Sequence, residues 1–180
     1  MCINQRNKSI LCFLALAIGF FSFYGVYEMQ ADRTERRINN LLSRAEKGNL
    51  SLTVYYLSPT VLTLLPVSVD SLINGGYEYT FSIEGNDLKE YLELFRKLGD
   101  AKLETVKQKS RINARIYYVF EDKKTKKILD VAMWGNDDSI FINGIEFKWE
   151  KVFYDIIRPF LPEDIVEYMD KQCKAIMQNK

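Results

Sequence analysis

The chain has 180 residues, 47% apolar and 27% charged, which is the balance of a globular protein with room for one ordinary domain and a short appendage. Histidine is absent, and this removes Ser-His-Asp and Cys-His nucleophile pairs, zincin motifs and imidazole general bases together. Net charge is +1, and beyond residue 27 the chain holds 23 Lys and Arg against 24 Asp and Glu, so no nucleic-acid partner is expected.

Residues 1–9 form a polar, cationic tail carrying Arg6 and Lys8. Ile10 to Tyr27 then runs eighteen residues without a charge. As a helix it would be roughly 27 Å long, close to the hydrocarbon thickness of a bilayer. We expect a transmembrane segment, with Ile10, Leu14, Ile18, Phe21 and Tyr27 spread along it. Cleavage wants small residues at −3 and −1. A cut after Ala31 puts Met29 at −3, and one after Gly25 puts Phe23 there. Cys12 follows Ser9-Ile10-Leu11 and has no lipobox before it. An uncleaved, single-pass signal anchor in the cell membrane is therefore expected. Arg33, Arg36, Arg37, Arg44 and Lys47 follow the span, a count that points the domain to the cytoplasm. A short cationic tail before the span is the export arrangement, and an extracytoplasmic domain is the expectation.

Residues 28–48 read as a juxtamembrane helix or stalk, with Ile38, Leu41, Leu42 and Ala45 on one stripe and Gly48 as its stop. An α+β domain over 50–180 follows. Leu50, Leu52, Val54 and Tyr56 alternate with polar neighbours in a first strand. Ser68 is suited to cap a short helical turn, and Tyr77, Tyr79, Phe81 and Ile83 mark a second strand. Asn86 is a good N-cap for a helix with Leu88, Tyr91, Leu92, Phe95 and Leu98 on one face. A polar connector with a short strand at Leu103 to Val106 leads to an antiparallel meander from Ile112 to Trp149. Its first strand alternates from Ile112 to Phe120, and Asn143-Gly144 marks a type I′ hairpin. That turn pairs Ile142 with Ile145, Ile140 with Phe147, Phe141 with Glu146 and Ser139 with Lys148. Two helices close the chain, the last with Ile165, Tyr168, Met169, Cys173 and Ile176 inward. The expected fold is an antiparallel sheet packed by helices on one face, preceded by a transmembrane helix.

Cys173 is the one cysteine beyond the N-terminal run, so the domain has no internal disulfide and the thiol reads as structural. Asn136-Asp137-Asp138 lacks the spacing of a calcium loop and reads as a polar turn. No phosphate loop, dinucleotide fingerprint or Ser-x-x-Lys dyad occurs, so neither cofactor nor metal is expected. Lys123, Lys124, Lys126 and Lys127 form a basic hairpin tip, whose plain reading is a solvated loop. Tyr55, Tyr117 and Phe141 fall on strand faces opposite the core assignment, with Trp134 near a strand end. With the lysines they are the candidate ligand surface for a protein, a peptide or an anionic envelope polymer.

The runs VYYLSPTVLTLLPVSVDSLI and DVAMWGNDDSIFINGIEF resemble the small, uncharacterised domains behind a signal or anchor in the envelope proteins of Gram-positive bacteria. The resemblance implies an envelope location and carries no functional residues. The expected function is a membrane-anchored extracytoplasmic binding module without catalysis. A carboxylate-based envelope hydrolase and a cytoplasm-facing regulatory or immunity-type membrane protein are the alternatives.

Overall fold

The Asn143-Gly144 turn sets one edge of the sheet. In this computed structural model Asn143 has φ 50° and Gly144 φ 77°, the positive values that both positions of a type I′ turn require. The turn joins β5 (Ser139–Ile142) to β6 (Ile145–Lys148), pairing Ile142 with Ile145, Ile140 with Phe147, Phe141 with Glu146 and Ser139 with Lys148, as the sequence predicts. Beyond its chain neighbours no atom lies within 4 Å of a Cβ added at Gly144, so backbone strain governs substitution there. Gly144→Val should lower folding stability by about 1–3 kcal/mol, whereas Gly144→Asn should cost little, because Asn tolerates positive φ. Chemical denaturation of the two variants side by side tests this; equal midpoints would mean that the turn does not hold its assigned conformation.

The described residues are 29, 31–106, 110–122, 126–133 and 138–178. The expected membrane span at 10–27, with Ile10, Leu14, Ile18, Phe21 and Tyr27, lies outside them, as do Lys123, Lys124 and Trp134. Among the described residues no helix is long and apolar enough to cross a membrane.

The fold is α+β. Its sheet adds β1 (Leu50–Tyr56), β2 (Tyr79–Glu84), β3 (Ile116–Asp122) and β4 (Lys127–Met133), in the order β2-β1-β3-β4-β5-β6, with every pairing antiparallel. The period of two sends Leu52, Val54, Ile116, Tyr118, Phe120, Val131, Ile140 and Phe147 into one buried cluster. Helix α1, residues 31–46, adds Ile38, Leu41 and Ala45 to that cluster. The helix expected as a stalk is thus packed into the domain's own core, and Arg44 pairs with Asp122 at 2.5 Å to fix its end against β3. A short helical turn, α2 (Val69–Ser71), is capped by Ser68 as expected, its hydroxyl accepting from the Ser71 N–H at 3.0 Å. Phe95 comes from α3 (Leu92–Arg96), Phe153 and Tyr154 from α4 (Val152–Asp155), and Ile165, Met169 and Cys173 from α5 (Glu163–Gln178). Burial pushes the free Cys173 thiol up to about 11, which leaves it protonated and inert at neutral pH.

Three local expectations are corrected. The helix expected from Asn86 is divided: α3 is flanked by 3-10 turns at Asp87–Tyr91 and Lys97–Asp100, and the Asn86 side chain makes no capping bond. Apolar residues at 88, 91, 95 and 98 keep one stripe in either geometry, so the pattern does not separate them. The strand expected from Ile112 begins at Ile116. Ala114 instead donates its N–H to Val67 and packs in a second cluster on the opposite face, so the chain changes face at Arg115. The expected strand at Leu103 to Val106 is reduced to a single bridge, Thr105 to Phe147, at the β6 edge.

Irregular chain and the short helical stretch from Val69 to Gly76 cover that opposite face. Leu57, Val67 and Leu72 from the β1–β2 connection meet Ala114, Tyr117, Val119 and Ala132 there. The two covering segments are stitched together: Leu57 N–H donates to Arg115 O at 2.7 Å, and Val67 N–H to Asn113 Oδ1 at 3.0 Å. The same connection carries no charge from residue 57 to 69 and leaves Leu62, Leu64 and Leu65 exposed.

Candidate functional site

Strand alternation alone would place Lys127 and Asp130 on opposite faces, because they are three residues apart. A bulge changes this. Phe120 opposes Leu129 while Glu121 opposes Lys127, which leaves Ile128 as an extra residue in β4. Lys127 and Asp130 now share the second face, and Lys127 Nζ donates to Asp130 Oδ2 at 2.7 Å. The hydroxyl of Tyr117, on the neighbouring strand, donates to the same oxygen at 3.1 Å. Burial, the Asp130 charge and this bond together hold the Tyr117 phenol far above its ordinary range, so it stays protonated and keeps donating.

Asn143 completes the group from the hairpin. Its Oδ1 accepts from the Asp130 backbone N–H at 3.2 Å, and its own N–H donates to the Asp130 carbonyl at 2.9 Å. Two polar atoms here are buried and have no hydrogen-bond partner, Asp130 Oδ1 and Asn143 Nδ2. Asp130 is only 8% exposed. Both residues line a cavity of about 400 Å³, together with Lys127, Asp70 and the apolar walls of Ile73, Ile112, Ala132 and Phe141. That volume is in the range of small-molecule sites, and apolar walls with a few convergent polar groups are their usual make-up.

Of the aromatic residues singled out from the sequence, Tyr55, Tyr117 and Phe141 stand in one row that crosses four strands. Tyr55 pairs with Tyr117 across β1 and β3, Tyr117 with Ala132, and Ala132 with Phe141. The rings of Tyr55 and Tyr117 lie 6.1 Å apart, and Tyr77 meets Tyr55 edge-on at 5.4 Å. The row is roofed rather than open, with Tyr117 buried and Tyr55 and Phe141 half-buried. Lys126 is exposed in the hairpin, its N–H held by Asp122 Oδ1 at 3.0 Å. Lys127 is exposed as well, at the mouth of the cavity that it helps to line.

Asp130, Asn143 and Asp70 were not singled out from the sequence as site residues. The signal for the first was present: a lone carboxylate inside the strand Ile128-Leu129-Asp130-Val131 is costly to bury unless something meets it. Two further polar side chains are buried on or beside this face. Glu146 accepts from Ser110 Oγ, Ser110 N–H and Ser139 Oγ at 2.7, 2.8 and 2.9 Å. Arg115 gives one bond, to Thr63 Oγ1 at 3.0 Å, and its Nε and Nη1 have no partner. Among the described residues no cluster of carboxylates and cysteine suits a metal ion. In comparisons by sequence and by fold, no family model, curated protein or solved structure matches this chain.

Proposed function

We propose that this protein is a membrane-anchored binding module whose ligand sits in the cavity on the second face of the sheet. The observation that carries the reading is the cavity itself, about 400 Å³, in which Asp70, Lys127, Asp130 and Asn143 meet the apolar walls of Ile73, Ile112, Ala132 and Phe141. The uncharged run at 10–27 supports the anchor, and the exposed leucines at 62, 64 and 65 add apolar surface of the kind found at membrane or protein contacts. The export-type tail supports an extracytoplasmic domain.

The test uses the full chain recovered from the membrane fraction and placed in nanodiscs. Titration with small apolar molecules bearing an amine or a carboxylate should shift the methyl resonances of Ile73 and Ile112. Ala132→Phe, which fills the cavity, should abolish those shifts while the fold is retained. Shifts confined to other methyls, or recovery of the chain as a soluble product, would overturn the reading. A carboxylate hydrolase is the second reading, favoured by Asp70 and Asp130 lining the same cavity; turnover of a bound molecule during the titration would select it.

A further inference from the structure

We infer that the connection from β1 to β2 is a second membrane contact, whose leucine tip inserts into the same lipid bilayer that holds the anchor. This rests on the anchor reading above and adds how the domain lies on the membrane. Leu62 and Leu65 are 98% and 76% exposed and Leu64 is fully so, which puts three bare leucines within four residues. Single exposed leucines are ordinary on a soluble surface, whereas a contiguous group marks a contact. None of the three lines the cavity, so ligand binding there does not account for them.

The base of the tip is fastened. Leu57 N–H donates to Arg115 O on one side of the leucines and Val67 N–H to Asn113 Oδ1 on the other. Between them Arg115 Nη2 donates to Thr63 Oγ1 at 3.0 Å. The leucines are therefore presented outward by a closed loop.

Composition selects lipid. From Gly48 to Val69 the chain carries no charge, so the tip can enter acyl chains without stripping water from an ionic group. The polar side chains beside the leucines are hydroxyls, at Ser58, Thr60 and Thr63. Exposed Arg111, two residues from Asn113, is a cation at the base of the loop, where phosphate headgroups lie above the acyl region. Protein interfaces take their energy chiefly from Trp, Tyr and Arg, and leucine is under-represented among their hot spots. Reach favours the same partner. Only three residues separate Tyr27, the end of the uncharged run, from α1, which is packed into the domain's core. That stretch of chain extends at most roughly 14 Å, so the domain stays beside the bilayer. Insertion of the tip is then intramolecular, and a weak apolar contact suffices.

The experiment is methyl NMR of the full chain, labelled at leucine, in nanodiscs of phosphatidylcholine and phosphatidylglycerol. One sample carries a nitroxide on the lipid acyl chains and the other a water-soluble gadolinium chelate. Leu62, Leu64 and Leu65 should lose their signals to the nitroxide and keep them in the chelate. Leu52 and Leu129, fully buried in the domain, should keep most of their intensity with both. Leu14, in the uncharged run, reports the anchor separately. Leu64→Asp, at a fully exposed position, should leave the denaturation midpoint unchanged and open Leu62 and Leu65 to the chelate. Tip leucines lost to the chelate while Leu14 is lost to the nitroxide would overturn the inference and leave the anchor standing. Tip leucines shielded from both agents would place the loop against protein and overturn it too, as would a Leu64→Asp variant whose Leu62 and Leu65 still vanish with the nitroxide. A Leu14 signal that survives the nitroxide would overturn the anchor reading, and the inference with it.

Discussion

Tyr118→Ala should cost about 3–5 kcal/mol of folding stability, the range for truncating a buried aromatic residue. Domains of this size are stable by only about 5–15 kcal/mol, so the variant should unfold at a visibly lower denaturant concentration. Tyr118 lies at the centre of the first core. It opposes Val54 on β1 and Val131 on β4, and its ring stands edge-on to Phe120 at 5.9 Å. The residue is fully buried, so truncation leaves a cavity between the sheet and α4. Its hydroxyl also donates to the Phe153 carbonyl at 2.9 Å, tying α4 to the sheet. Burial holds the phenol well above its ordinary value, so this donor is kept across the working pH range. Tyr118→Phe isolates the bond and should cost about 1 kcal/mol. Similar midpoints for the Ala and Phe variants would mean that the ring is not packed as described.

Glu146→Ala should cost about 2–4 kcal/mol, and Glu146→Gln less than about 1 kcal/mol. Two hydroxyls and one backbone N–H converge on this buried carboxylate, and hydrogen bonds to a charged group contribute about 1.5–3 kcal/mol each before solvent recovers part of the loss. Gln can answer all three, its oxygen taking the Ser110 N–H and its amide donating to hydroxyls that rotate to accept. The bonds to Ser110 hold the segment that carries Ile112 over the cavity. Hydrogen exchange at residues 110–115 should therefore rise in the Ala variant well beyond the global loss of stability. Exchange that tracks global unfolding alone would show that Glu146 does not hold this segment.

The two faces of the sheet differed in how far the sequence disclosed them. Ile140, Ile142, Ile145 and Phe147 declared their register because a local turn, Asn143-Gly144, and a local period agree. The stripe of Ile38, Leu41 and Ala45 declared a helix, but nothing local says whether such a stripe meets the same domain's sheet or another surface. The site depends on events that leave no short-range signal. Ile128 and Leu129 are simply two apolar neighbours until the register shift opposite Phe120 turns Lys127 toward Asp130. The pairing of Val67 with Asn113 and Ala114 spans more than forty residues of chain, and such long-range contacts turn an exposed aromatic face into a roofed cavity.

The place of β1 in the sheet also has a consequence for the chain's birth on the ribosome. β1 lies between β2 and β3, with Tyr56 opposite Ile116 and Leu50 opposite Asp122. At about 5–20 residues per second, the stretch from Tyr56 to Ile116 takes roughly 3–12 s to synthesise. Until β2 has been made β1 has no partner strand, and from then until β3 it has only β2, so its other edge offers unpaired N–H and carbonyl groups next to Leu52 and Val54. Such an edge pairs readily with a neighbouring nascent chain. The hazard ends only when β3 emerges, so a pause in translation between residues 85 and 115 should aggregate this protein more than a pause anywhere after Asp122.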